Sequence, residues 1–140
     1  MNINMEARIE LLAHKKLVGC KVNTSLSNNK TFQVWQRFMP GRSEVKHQVN
    51  ATLFSLSVYD PDYFSDFNPA SSYEKWAAVE VDRYENIPEG MEFFDLPGGL
   101  YAVFDYKGLH TDTAIYHYIF IWFSLQQLFP GYICQLSNKI

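Results

Sequence analysis

The chain has 140 residues, the usual size of one domain, so a separate cofactor module beside a catalytic one is not expected. Hydrophobic residues make up 47% and aromatics 16%, too apolar for a disordered chain. Twelve basic against fifteen acidic side chains leave a formal charge of −3, which provides no basic footprint for direct binding of nucleic acid.

The charge is unevenly spread. Residues 1–59 carry eight basic and three acidic groups, residues 60–95 two and ten, and residues 96–140 two of each. The acidic middle can attract cations and repel phosphates, or simply keep a loop solvated. The longest apolar run, Ala114 to Phe123, is broken by His117 and falls short of the roughly 20 residues that cross a bilayer. Glu6 and Glu10 stand where a signal peptide would be basic and then apolar, so a cytoplasmic location is expected. Cys20 and Cys134 lie in apolar settings and are expected to be buried thiols.

In chain order, Arg8 to Val22 reads as a strand with two apolar halves around His14-Lys15-Lys16, followed by a polar loop from Asn23 to Lys30. Phe32, Trp35, Phe38 and Met39 recur at helical spacing after the cap candidates Ser27, Asn28 and Asn29, and Pro40-Gly41 closes that helix. Thr52 to Tyr59 alternates as a half-buried strand, an acidic loop follows, and Trp76 to Val81 is another strand. Its Ala77, Val79 and Val81 share one face, and Trp76, Ala78 and Glu80 the other.

After Ile87-Pro88-Glu89-Gly90 the order begins again. Met91 to Tyr106 is a strand broken at Pro97-Gly98-Gly99, Thr111 or Asp112 caps a helix with Ile115, Tyr118, Ile119 and Trp122 on one face, and Gly131 to Leu136 is a short strand. The order suggests a duplicated β-α-β-β unit lacking its last strand, in an α+β domain with helices on one side of a largely antiparallel sheet. The whole chain, 1–140, reads as one domain, with halves at about 8–82 and about 91–136.

Most familiar chemistry is missing. There is no His-Glu-x-x-His, no paired Cys-x-x-Cys and no Gly-x-Ser-x-Gly; His110 and His117 alone do not make a metal centre, and Pro97-Gly98-Gly99 lacks the pattern of a phosphate loop. No catalytic residue, metal or cofactor is assigned. Glu80 remains, a carboxylate within an apolar strand, where ionisation is costly without a partner or water. Either it points outward or meets a nearby lysine, or it faces a concave surface walled by rings such as Trp76, Trp35, Tyr118 and Trp122. In the second case charge attraction and cation–π contact would select a flat, apolar cation.

The stretch from Trp76 to Tyr118 is similar to the GyrI-like effector-binding family, which also forms the C-terminal half of some AraC-type and MerR-type regulators. The phrases that carry the likeness are Ala77-Ala78-Val79-Glu80-Val81, Ile87-Pro88-Glu89-Gly90-Met91-Glu92, Leu96 to Gly108 and the helix around Thr113 to Phe120. Leu17-Val18-Gly19 and Trp35 with Phe38 match more loosely. The resemblance implies two β-α-β-β halves with a groove between them and an acidic residue near its centre. It also implies binding of amphipathic, often cationic, small molecules. It points to Glu80, Trp76, Ala78, Trp35, Phe38, Tyr118 and Trp122 as ligand-binding residues.

After Trp122 the sequence departs from the family's closing strand, with Gly131-Tyr132 as the remnant of a turn. An open sheet edge there could be covered by a second copy of the chain. No helix-turn-helix fits before Arg8, so a stand-alone, non-enzymatic binding module is expected. Two alternatives are a gyrase-protecting protein-interaction module using Asp60, Asp62, Asp66, Glu85 and Glu89, and a hydrolase of a reactive small molecule with Glu80 as acid or base.

Overall fold

The computed structural model describes residues 7–65, 68–104 and 119, and the backbone of 132–137. Over these residues the architecture is α+β, with antiparallel sheets and a short helix. They fall into two units, one drawn from Met1–Ala13 and Gly98–Pro130, the other from His14–Pro97 and Gly131–Ile140.

In the first unit, β1 (Ala7–Leu12) pairs antiparallel with β6 (Gly99–Phe104). The second unit holds a five-stranded sheet ordered β5-β2-β4-β3-β7, built from β2 (Lys15–Thr24), β3 (Gln48–Val58), β4 (Tyr73–Val81), β5 (Glu92–Leu96) and β7 (Tyr132–Ser137). All its pairings are antiparallel. The single kinked strand expected over Arg8 to Val22 is therefore two strands in different sheets, and the same is true of Met91 to Tyr106. The breaks come at Ala13-His14 and at Pro97-Gly98, where proline lacks an N–H for a ladder and Gly99 takes a φ of 143°. The predicted second helix, with Tyr118 and Trp122, lies outside the described residues except for Ile119, which is helical.

Helix α1 (Thr31–Phe38) forms where the spacing predicts it. Its N-cap is Lys30, which makes no side-chain cap; one residue earlier Asn29 accepts from the Thr31 amide at 3.0 Å, and Val34 and Phe38, four residues apart, are the buried stripe. Pro40-Gly41 does not close the segment. The chain continues as a 3₁₀ helix, Met39–Glu44, because proline near the start of a helical turn sacrifices no hydrogen bond.

Helix α1 covers one face of the five-stranded sheet. Val34 and Phe38 pack there with Val18, Cys20, Leu53, Ala77, Val79 and Val81. The opposite face carries a second cluster, Leu17, Phe54, Leu56, Trp76, Ala78 and Leu96, with Val58 and Phe94 beside it. Strand β4 lies between β2 and β3 and contributes to both clusters, which is why it is apolar without interruption from Trp76 to Val79.

The β2–β4 contact is tight at Gly19. A Cβ there would sit 2.0 Å from the Ala77 carbonyl oxygen and 2.6 Å from Ala78 Cα, both in the central strand. Gly19→Ala is expected to lower stability by about 3 kcal/mol, the upper part of the range for overpacked cores, as read from the denaturant midpoint at unchanged slope.

Candidate functional site

Alternation along β4 decides which side chains share a face. Glu74, Trp76, Ala78 and Glu80 are two residues apart in turn and lie on the face away from α1; Lys75, Ala77, Val79 and Val81 lie on the α1 face. Trp76 and Ala78 are buried, and the Glu80 side chain keeps 17% of its exposure. The Trp76 ring packs against Phe94 of β5 with centroids 5.4 Å apart, tilted by 56°. Its indole N–H donates to Glu74 Oε1 at 2.6 Å, so this polar atom is satisfied without water.

Both carboxylates on this face hold lysines from β2. Lys15 Nζ lies 3.6 Å from Glu80 Oε1, and Lys21 Nζ lies 3.6 Å from Glu74 Oε2 and 3.5 Å from Glu92 Oε1. The two Lys–Glu contacts are the same step in the ladder. Leu17 is opposite Glu80 and Asn23 opposite Glu74, and each lysine comes two residues before its carboxylate's direct partner, a diagonal that long side chains span. The Lys21 ammonium also stands 5.7 Å from the Trp76 ring centroid, within cation–π range. Each such pair at partly exposed positions is worth about 0–1 kcal/mol and the cation–π contact about 0.5–1 kcal/mol. These lysines therefore neutralise the carboxylates without being locked in place.

Glu80 accordingly meets a lysine, one of the two outcomes its setting allowed. Two small hollows among the described residues are not lined by Glu80. One, of about 120 Å³, is bordered by Asn23, Val58, Asp60, Ser72, Tyr73 and Glu74. The other, of about 150 Å³, is bordered by Asn23, Thr24, Ser25, Asn28, Lys30, Ala70 and Ser72.

Of the seven residues singled out, the structure brings Glu80, Trp76 and Ala78 together. Trp35 and Phe38 lie on the far side of the sheet, ring against ring with centroids 6.1 Å apart, within the cluster under α1. The sheet itself separates them from Glu80. Tyr118 and Trp122 lie outside the described residues. Sequence reasoning passed over Phe94, Glu74, Glu92 and the two lysines. The signal for Glu74 was its parity with Trp76 and Glu80; Phe94 and Glu92 needed the β2–β5 register.

Beside β5, the Tyr84 hydroxyl donates to Asp95 Oδ1 at 2.7 Å and lies 3.1 Å from the Phe94 carbonyl, and His14 Nε2 lies 3.2 Å from the same carboxylate oxygen. Burial, reinforced by Asp95, pushes the Tyr84 phenol well above its usual range. The hydrogen bond from Tyr84 holds the Asp95 carboxyl below the ordinary value, with His14 adding to the effect.

A family model described as the GyrI-like small molecule binding domain matches residues 5–129. The chain belongs to the GyrI-like family. The transcriptional regulator BrlR of Pseudomonas aeruginosa is 30% identical over 113 residues, which cover 79% of this chain and 38% of the regulator. The chain thus spans little more than a third of that curated relative's length. The solved structure of SAV2435 bound to tetraphenylphosphonium shares the fold with a TM-score of 0.72 at 16% identity, over 96% of this chain and 84% of that one. The C-terminal domain of EcmrR does so with a TM-score of 0.58 at 11% identity, over 87% and 76%. No helix among the described residues is long and apolar enough to cross a membrane.

The Asp95 shift has a testable consequence. A carboxyl whose folded value is depressed adds stability above its unfolded pKa, and that contribution is lost as pH falls through the folded value. Tyr84→Phe removes the donor, so the Asp95 side-chain titration followed by NMR is expected to move up toward the ordinary range, and the stability that this carboxyl adds above its unfolded pKa and loses in acid is expected to shrink.

Proposed function

We propose that this GyrI-like domain is a cytoplasmic receptor or sequestering protein for amphipathic, aromatic small molecules carrying positive charge, and that it leaves them chemically unaltered. The observation that carries this reading is the face of β4, where an indole ring and a small alanine lie between two carboxylates, each already holding an ammonium group. Glu80 would be the charge partner, Trp76 and Phe94 the aromatic surface, and Ala78 the low point over which a flat ligand can lie. Tyr118 and Trp122 are proposed as further wall residues.

Physical chemistry favours a lipophilic cation here. A neutral aromatic that pushed a lysine aside would leave its carboxylate desolvated and without counter-charge, whereas a cation replaces one ammonium by another while adding apolar contact. The relative SAV2435 has been solved with tetraphenylphosphonium, a cation of that chemical type. The likeness to a transcriptional regulator supports a role in reporting such compounds.

Titration calorimetry with a cationic aromatic dye and a neutral analogue of the same shape tests this. Glu80→Gln is expected to weaken the dye about threefold to fivefold and the neutral compound less than twofold, since one lost charge contact at a partly exposed position is worth up to about 1 kcal/mol. Equal weakening of both would show that Glu80 serves the fold and not the charge of a guest.

A further inference from the structure

We infer that Lys21 is an internal competitor for the ligand's cation: its ammonium occupies a cradle made by the Trp76 ring, Glu74 and Glu92, and a bound organic cation takes that place by displacing it. This rests on the receptor reading above and adds to it a second charge position, some distance along β4 from Glu80, together with the residue that controls entry.

The cradle has the composition of a cation site. It offers one aromatic face at 5.7 Å and two carboxylate oxygens at 3.6 and 3.5 Å, all converging on one ammonium nitrogen. The Trp76 ring is only 2% exposed, so a guest that is to stack on it must first move a side chain. Lys21 is the neighbour suited to move. Its side chain is 38% exposed and unbranched, and it extends past the end of the β2–β5 ladder, whose last pair is Gly19 with Glu92.

Its backbone is held independently of its side chain. Lys21 is paired with Trp76 in the β2–β4 ladder, and its carbonyl accepts from the Arg37 guanidinium of α1. The strand therefore stays in place when the ammonium swings out, and Glu92, 55% exposed, can follow it toward solvent. Glu74 also borders the hollow of about 120 Å³ that it shares with Asp60 and Tyr73. A small ammonium or guanidinium head on an apolar body would enter beside a second carboxylate. The equivalent contact of Lys15 with Glu80 lets both carboxylates on this face exchange an internal ammonium for an external one.

This exchange sets specificity by charge. A neutral aromatic that displaced Lys21 would leave Glu74 without its counter-ion, so the lysine excludes neutral compounds while only taxing cations. The tax is removable. With Lys21→Gln, affinity for tetraphenylphosphonium measured by titration calorimetry is expected to rise about threefold to tenfold, and with Lys21→Arg it is expected to remain at or below that of the unsubstituted chain.

A second readout uses the unsubstituted protein. After ¹³C-reductive methylation, the Lys21 methyl resonance is expected to show a ring-current shift from Trp76 that disappears on saturation with tetraphenylphosphonium; a Trp76→Leu sample assigns the shift. Binding with no gain in Lys21→Gln and an unmoved Lys21 resonance would overturn the competitor role and leave the receptor reading standing. Binding only in Lys21→Gln would support it. Failure of the unsubstituted chain and of both variants to bind tetraphenylphosphonium would overturn both.

Discussion

The structure turns on one constraint: the central strand of the sheet is buried on both faces yet carries two carboxylates on one of them. Strand β4 pairs with β2 and β3, packs Ala77, Val79 and Val81 under α1, and turns Trp76 and Ala78 into the second cluster. Glu74 and Glu80 bracket that second row. An ionised carboxylate beside buried rings requires counter-charge, and the fold supplies it from the adjacent strand by one repeated diagonal, Lys21 to Glu74 and Lys15 to Glu80.

This arrangement combines stability with adaptability. The backbone around it is rigid, since the β2–β4 ladder runs nine residue pairs from Lys16 to Thr24 and closes to near contact at Gly19. The ion pairs laid over the ladder are weak, because their side chains are partly solvated. A floor of paired backbone under loosely held charges is compatible with a family described by small-molecule binding. On the proposed reading, shape selectivity would be modest and charge selectivity strong, since the floor offers one indole, one phenyl ring and a small alanine, and a neutral guest would leave a carboxylate unpaired.

The two strand breaks show how far local patterning reaches. Leu11 and Lys15, or Leu96 and Leu100, read as parts of one apolar strand because β-propensity is continuous through them; the chain nonetheless divides there between two sheets. Pro97 and Gly98 marked one break in the sequence. Ala13-His14 has no proline or glycine, and only the polar run His14-Lys15-Lys16 marked a kink there; that the chain changes sheet follows from the partner strand, whose own break interrupts the ladder opposite.

What the sequence by itself determined was local and periodic: the existence of α1 from the spacing of Phe32, Trp35, Phe38 and Met39, though its buried stripe proved to be Val34 and Phe38, the two faces of β4 from alternation, the burial of Cys20, and the likeness carried by Ala77 to Val81 and Ile87 to Glu92. It could also mark Glu80 as anomalous, because a charge in an apolar strand is visible without a fold. Only the tertiary structure decided that Trp35 and Phe38 lie across the sheet from Glu80, and that Lys15, Lys21, Phe94 and Glu92 join the carboxylate face. The reason is physical. Which face a side chain takes along its own strand or helix follows from a short-range period, but which elements adjoin it depends on register and layer order, and those are set by the packing of segments far apart in the chain.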